Sequence, residues 1–287
     1  MLKLSQPTRL LLIAAAICLA ACSSNPKKTV VKTEKDYYLT AQKSMTKGNF
    51  STATDELEQL ESHYPVGQYT EQAQLELIYA KYRHLDYPGA SAAADRFIRL
   101  HPAHPQLDYA YYMRGLSDYD ASSDTFNRYL PMDPSHRDLS GARDAFNGFR
   151  DLLTRFPNSP YAHDARQRMI FLRNSFAESE MHVARYYVRR GAWVAALARA
   201  RWVVENYQGA PVVPEALATE IYCYDKLGMA TQAQSHMQLL KTNFPNDPHI
   251  DKLGQVQVDV GPQNERRSWL NVVSFGLFGS DNVVGQE

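Results

Sequence analysis

Five times along the chain, a segment closes on the same short phrase: "ESHYP" at 61–65, "IRLHP" at 98–102, "LTRFP" at 153–157, "VENYQ" at 204–208 and "KTNFP" at 241–245. Twelve residues before each final position stands an alanine: Ala53, Ala90, Ala145, Ala196 and Ala233. Five before it stands a large apolar residue: Leu60, Phe97, Leu152, Val203 and Leu240. Seventeen before it, the first, fourth and fifth copies carry Gly48, Gly191 and Gly228. Such a register confines the chain to few folds. The glycine admits a tight turn between two helices, the alanine lets them approach, the large side chain fills the space, and proline ends the second helix.

Each copy therefore reads as a helix pair of the tetratricopeptide type. Apolar spacing of three and four supports helix throughout, and no alternating strand or Asn-Gly hairpin signal interrupts it. The expected fold is all-α, a tetratricopeptide-repeat solenoid of about five helix pairs. Copies are spaced 37, 55, 51 and 37 residues apart, against about 34 for the standard repeat, so two carry insertions. In the third, "DYDASSDTFNRYLPMDPSHRD" (118–138) reads as an excursion loop. In the fourth, nothing breaks 159–190, and Ser159-Pro160 reads as N-cap and first turn of one lengthened helix.

Ahead of the repeats, Lys3 and Arg9 precede twelve apolar residues, Leu10 to Ala21, a run too short to span a bilayer. Leu19-Ala20-Ala21-Cys22 has the form of a bacterial lipobox, in which Cys22 receives a diacylglycerol and becomes the first mature residue. The alternative is an ordinary secretory signal cleaved at an Ala-x-Ala-like site. Ser23 rather than Asp after the cysteine points to the outer membrane, with the chain lipid-anchored on its periplasmic face. An N-terminal lipid with two or more acyl chains suffices for stable anchoring. Loss of 1–21 takes the formal net charge from 0 to −2, and nothing in the balance suggests nucleic acid. With Cys18 removed and Cys22 lipidated, Cys223 is the remaining thiol, so no disulfide forms within the mature chain. Its neighbours Ile221, Tyr222 and Tyr224 mark it as core.

The expected organisation is a signal peptide at 1–21, a lipidated flexible tether at 22–34, N-terminal repeats at 35–119 on the substrate side, C-terminal repeats at 120–246 on the partner-docking side, and a flexible tail at 247–287. Within that tail "SWLNVVSFGLF" (268–278) is conspicuously apolar, either a partner-engaging segment or part of a disordered end.

Traces of chemistry are missing. His101 and His104 are separated by Pro102-Ala103 in a repeat turn, without the glutamate a helical metalloprotease motif needs. Asp118, Asp120 and Asp124 mimic three calcium-loop positions, but Ser123 and Tyr129 replace the required glycine and glutamate. There is no G-x-S-x-G and no phosphate-cradling loop. The reading is a non-enzymatic protein with no metal and no cofactor beyond the lipid on Cys22.

Charge and aromatic content locate two candidate surfaces. From Ser51 to Ile78 six acidic residues occur with no Lys or Arg; from Ala165 to Arg201 the balance reverses, with Arg166, Arg168, Arg173, Arg185, Arg189, Arg190, Arg199 and Arg201. That stretch is either a solvated helix surface or a dock for an acidic protein. The first three repeats are dense in tyrosine, mostly core by expectation, the remainder suited to line a peptide-binding groove.

The phrases "YPVGQYTEQAQLELIYAKY" (64–82), "FIRLHPAHPQLDYAYYMRGL" (97–116), "FPNSPYAHDARQRMIFLRN" (156–174) and "RRGAWVAALARAR" (189–201) resemble the BamD family. These are the tetratricopeptide lipoproteins of the outer-membrane β-barrel assembly (Bam) machinery. The resemblance runs from about Tyr37 to Asn246. It implies that the N-terminal repeats receive targeting segments of unfolded outer-membrane proteins, with Tyr64, Pro65, Tyr69, Tyr79, Tyr82, Phe97 and Arg99 as substrate candidates. It implies that the C-terminal repeats hold the barrel insertase BamA through its membrane-proximal periplasmic domain, with Arg199 as a contact candidate; Arg185, Arg189, Arg190 and Trp193, in and beside the basic stretch, are the further partner-binding candidates. BamC and other Bam lipoproteins are further expected partners. The rival readings are a pilotin-type tetratricopeptide lipoprotein escorting a secretin, and a cell-wall enzyme or its scaffold.

Overall fold

The computed structural model describes residues 31–122, 139–250 and 255–258. Cys22, the loop residues 123–138 and the apolar run 268–278 lie outside the described residues. Among the described residues there are ten helices: α1 (Glu34–Thr46), α2 (Phe50–His63), α3 (Thr70–Arg83), α4 (Tyr87–Leu100), α5 (Leu107–Ser122), α6 (Ser140–Arg155), α7 (Ala162–Arg189), α8 (Trp193–Asn206), α9 (Val213–Lys226) and α10 (Ala230–Asn243). An isolated β-bridge, Ile250 to Val256, is the extended pairing recorded there. The fold is all-α, built of tetratricopeptide-like helix pairs, and it divides into a first unit ending at Ala73 and a second from Gln74.

The recurrent phrase has one structural meaning in every copy. Its fourth residue (Tyr64, His101, Phe156, Tyr207, Phe244) is the C-cap of a second helix, outside the helical region, with its N–H donating to the carbonyl of the large apolar residue four back. The residue after it is Pro in four copies, where the preceding position is biased away from helix. Leu60, Phe97, Leu152, Val203 and Leu240 are all at most 1% exposed, so each copy anchors its second helix at the same point.

The turn glycines sit where φ is positive, at +74° for Gly48, +71° for Gly191 and +74° for Gly228. The second copy fills this position with Leu85, forced to +67°, where a side chain costs about 1–2 kcal/mol. Leu85 donates its N–H to the carbonyl of Tyr82, the same bond that Gly48, Gly191 and Gly228 make to the residue three back. Leu85 is 62% exposed. Leu85→Gly is therefore expected to stabilise the second unit by up to about 1 kcal/mol, read as a higher urea midpoint.

In the first unit, α1 and α2 pack through Ala41, Ala53, Leu57 and Leu60, with Tyr37 stacked on His63 at 5.7 Å. In the second, α5 and α6 meet where a Cβ on Gly148 would stand 3.0 Å from the Gly115 Cα. Beside that crossing Phe149 is fully buried among Phe97, Tyr111, Leu152 and Leu172. Arg114 on α5 joins Asp95 of α4 at 3.1 Å and Asp151 of α6 at 2.9 Å. A further apolar cluster, with Met181, Val203, Val213, Leu217 and Leu240, unites α7 to α10.

Several boundaries differ from expectation. The long helix runs from Ala162 to Arg189, but Ser159 and Pro160 stand before it. Ser159 is not its N-cap: its hydroxyl donates to Asp108 at 2.7 Å and accepts from the Tyr161 N–H at 3.2 Å. Residues 118–122 belong to α5 rather than to an excursion. The Tyr119 ring packs on Phe149 and Phe171, and Tyr82 donates to Asp120 at 2.5 Å, so these side chains have partners that hold the helix on. The last residues of the tether segment are held as well. Lys32 bonds Glu56 at 2.6 Å, and Thr33 is the N-cap of α1. At the other end, packing continues past Asn246, with Ile250, Val256 and Val258 against the last cluster.

Cys223 is fully buried. Burial first, and the nearby Glu220 charge second, push its thiol up to about 12. At pH 8 the thiolate that reacts is accordingly scarce. In a chain lacking residues 1–22, a thiol reagent at that pH should leave Cys223 unmodified until denaturant is added.

Candidate functional site

In the first unit, the loop between α2 and α3 is built around Glu34. One Glu34 carboxylate oxygen accepts from the Tyr69 N–H at 2.7 Å and the other from the Gln68 N–H at 3.2 Å. Gly67 permits this approach, since a Cβ there would lie 2.2 Å from the Glu34 carboxylate. Tyr69 stacks on Tyr38 at 4.8 Å. The Tyr64 hydroxyl donates to the Lys32 carbonyl at 3.0 Å, and its own carbonyl accepts from the Thr70 hydroxyl at 2.8 Å. Around these fixed points Pro65 is exposed and Val66 is 95% exposed. The loop thus presents an apolar tip on a braced base. Removing the brace in Glu34→Ala frees two N–H groups at a cost of about 1–2 kcal/mol. Amide exchange at Gln68 and Tyr69 should accelerate while that of Leu57 and Leu60 stays slow.

The remaining substrate candidates belong to the second unit. Tyr79 is half-buried, its hydroxyl accepting from Arg83 at 2.6 Å. Tyr82 is tied to Asp120, and burial first, then that bond, raises its hydroxyl pKa. Phe97 is 1% exposed. It is core rather than a contact residue, because it occupies the position that anchors α4. Arg99 is exposed in the last turn of α4.

The basic stretch is mostly engaged inside the chain. Arg185 forks onto Glu215 at 2.6 Å through Nε and Nη2, and reaches Glu178 at 2.6 Å through Nη1. The Glu215 bonds foremost hold its pKa above the ordinary range, with burial opposing. It therefore braces α7 against α9. Arg168 pairs with Asp164 at 2.6 Å, and Arg201 bonds the Tyr224 hydroxyl. Arg189 is exposed at the end of α7, Arg190 lies over the Tyr186 ring at 6.0 Å, and Trp193 meets Tyr222 edge-on at 5.6 Å.

Arg199 stands apart. It lines an open cavity of about 560 Å³ between α6, α7 and α8, with Arg143, Arg173, Phe146, Trp202 and Tyr207 around it. Phe146 and Phe176 pack edge to face at 6.0 Å beneath, and Trp202 is 51% exposed. Arg199 contacts Glu180 at 2.8 Å while its side chain stays 46% exposed. Arg173 donates to the Gln208 carbonyl, and its Nε is buried without a hydrogen-bond partner among the described residues. Three guanidinium groups around an aromatic floor suit a carboxylate-bearing apolar segment of another protein. Arg143, Phe146 and Trp202 were not among the sequence-derived candidates. They lie outside the arginine-rich run or carry no charge, and only the helix packing brings them together.

Comparison with known proteins gives a consistent neighbourhood. Residues 31–239 match the family YfiO, described as outer membrane lipoprotein. The chain is 40% identical over 241 residues to the outer membrane protein assembly factor BamD of Xylella fastidiosa strain Temecula1, covering 83% of this chain and 82% of that one. It is 38% identical over 249 residues to the protein of the same name from Neisseria meningitidis serogroup A, covering 84% and 92%. It is 36% identical over 231 residues to that of Vibrio cholerae, covering 80% and 96%.

Proposed function

The chain belongs to the YfiO family of outer membrane lipoproteins, the family of the assembly factor BamD, and on that premise we propose that it is a non-enzymatic scaffold for outer-membrane β-barrel assembly with two separate gripping surfaces. The first is the braced loop of the first unit, where Tyr64, Pro65, Val66 and Tyr69 receive the apolar, aromatic targeting segments of unfolded barrel proteins. The second is the arginine and aromatic cavity around Arg199, which docks the membrane-proximal periplasmic domain of BamA. BamC and other Bam lipoproteins bind the same scaffold. A lipid on Cys22 keeps the chain on the periplasmic face of the outer membrane, where anchoring raises the local concentration of both partners.

The observation that carries this reading is the cavity: three arginines against one carboxylate, Glu180, around an exposed tryptophan match the arginine and aromatic anchors of protein interfaces. A secretin pilotin would share anchor and repeats, but the relatives are named assembly factors. Depletion of the chain in its own host is the test. Many barrel proteins should fall together in the outer membrane; loss confined to one secretion or pilus system would favour the pilotin.

A further inference from the structure

Among the described residues, the last helix pair has an uncovered side. In the first four copies the repeat alanine is fully buried, whereas Ala233 on α10 is only partly so, and Leu240 is the one fully buried side chain of that helix. Leu239 is 44% exposed and Met229 37%. Terminal repeats of such arrays need a cap. Between α9 and α10 lies an open cavity of about 760 Å³, lined by Ile221, Tyr222, Ala233, Met237, Lys241 and Val256.

The chain itself forms one wall of that cavity. After α10 it turns at Asp247, whose N–H bonds the Phe244 carbonyl, and reverses through the Ile250–Val256 bridge and the bond from the Gln257 N–H to the His249 carbonyl at 2.8 Å. Val256 and Val258 then pack against side chains of α7, α8 and α9. The next apolar run in the chain is Ser268 to Phe278, "SWLNVVSFGLF", nine residues beyond Val258. Nine extended residues reach roughly 30 Å, more than the roughly 21 Å of a 14-residue helix, so the run can lie anywhere along α9 or α10. Charge agrees at both ends: Arg266 and Arg267 precede the run and Asp281 follows it, while Asp225 and Lys241 stand on the cavity rim.

We propose that Ser268–Phe278 of the chain's own C-terminal tail docks in the cavity between α9 and α10 and caps the repeat array. Covalent linkage supplies an effective concentration that a separate partner lacks.

The test places a photo-reactive benzoylphenylalanine at Met237 in the full mature lipoprotein, with isotopically light and heavy chains mixed before illumination. The expected adduct joins position 237 to the peptide containing Trp269 within one molecule, light to light or heavy to heavy. Mixed light–heavy adducts, or none with that peptide, overturn the proposal. As a second measurement, Trp269→Asp together with Phe275→Asp should accelerate amide exchange in α10 about tenfold and leave α1 and α2 unchanged. Unaltered exchange in α10 counts equally against it.

Discussion

Full mature chain carrying Arg199→Glu is expected to bind BamA about 2–5 kcal/mol more weakly, roughly thirtyfold to several thousandfold in Kd. The substitution removes one of three cations around the cavity and sets a carboxylate beside Glu180, 2.8 Å from the present guanidinium. An acidic partner then meets repulsion where it had a fork of donors. The substitution also costs the fold, because Arg199 is 46% exposed but Glu180, 18% exposed, is left without its counter-charge beside a second carboxylate. Swapping both charges, Arg199→Glu with Glu180→Arg, separates the effects. It restores the internal pair but leaves the cavity edge rearranged, so stability recovers and docking does not. Recovery of wild-type affinity by the double variant would mean that Arg199 acts only through the fold.

Phe149→Ala is expected to destabilise the second unit by about 3–5 kcal/mol. Phe149 is fully buried, with the Tyr112 and Tyr119 rings at 6.3 and 6.4 Å. Gly115 exists as glycine to admit it, since a Cβ there would lie 2.9 Å from the Phe149 ring. Truncation leaves a cavity at the closest crossing of α5 and α6, and two glycines offer no side chain to collapse into it. With a urea slope of about 1–3 kcal/mol per molar, the midpoint should fall by about 1 M or more. Phe171→Ala, by contrast, removes a ring that is 52% exposed and should change stability by less than about 1 kcal/mol. Equal effects from the two variants would contradict the packing described for α5 and α6.

What was legible in the sequence was whatever depends on local spacing. The repeat alanines, the anchoring residues such as Leu60 and Val203, and the C-cap phrase each recur at fixed offsets, so helix pairing followed from them. Leu85 escaped because it occupies a glycine position without being glycine; counting seventeen back from Pro102 was the signal that could have found it. The arginine run was visible, but not its internal partners. Glu215 lies 30 residues from Arg185, and no periodicity links them. Glu34 and Tyr69 are 35 residues apart and meet only after α1 and α2 have folded back. The resemblance offers Phe97 as a substrate candidate, while its place five before Pro102 marks it as a packing anchor; the repeat register is the better guide.

The central claim is that two distinct surfaces hold two distinct proteins. Photo-crosslinkers placed singly at Val66 and at Trp202 in the membrane-anchored chain, in living cells, test it most directly. Val66 should trap unfolded barrel proteins and Trp202 should trap BamA. The same partner at both positions, or BamA at Val66 and barrel chains at Trp202, would contradict it.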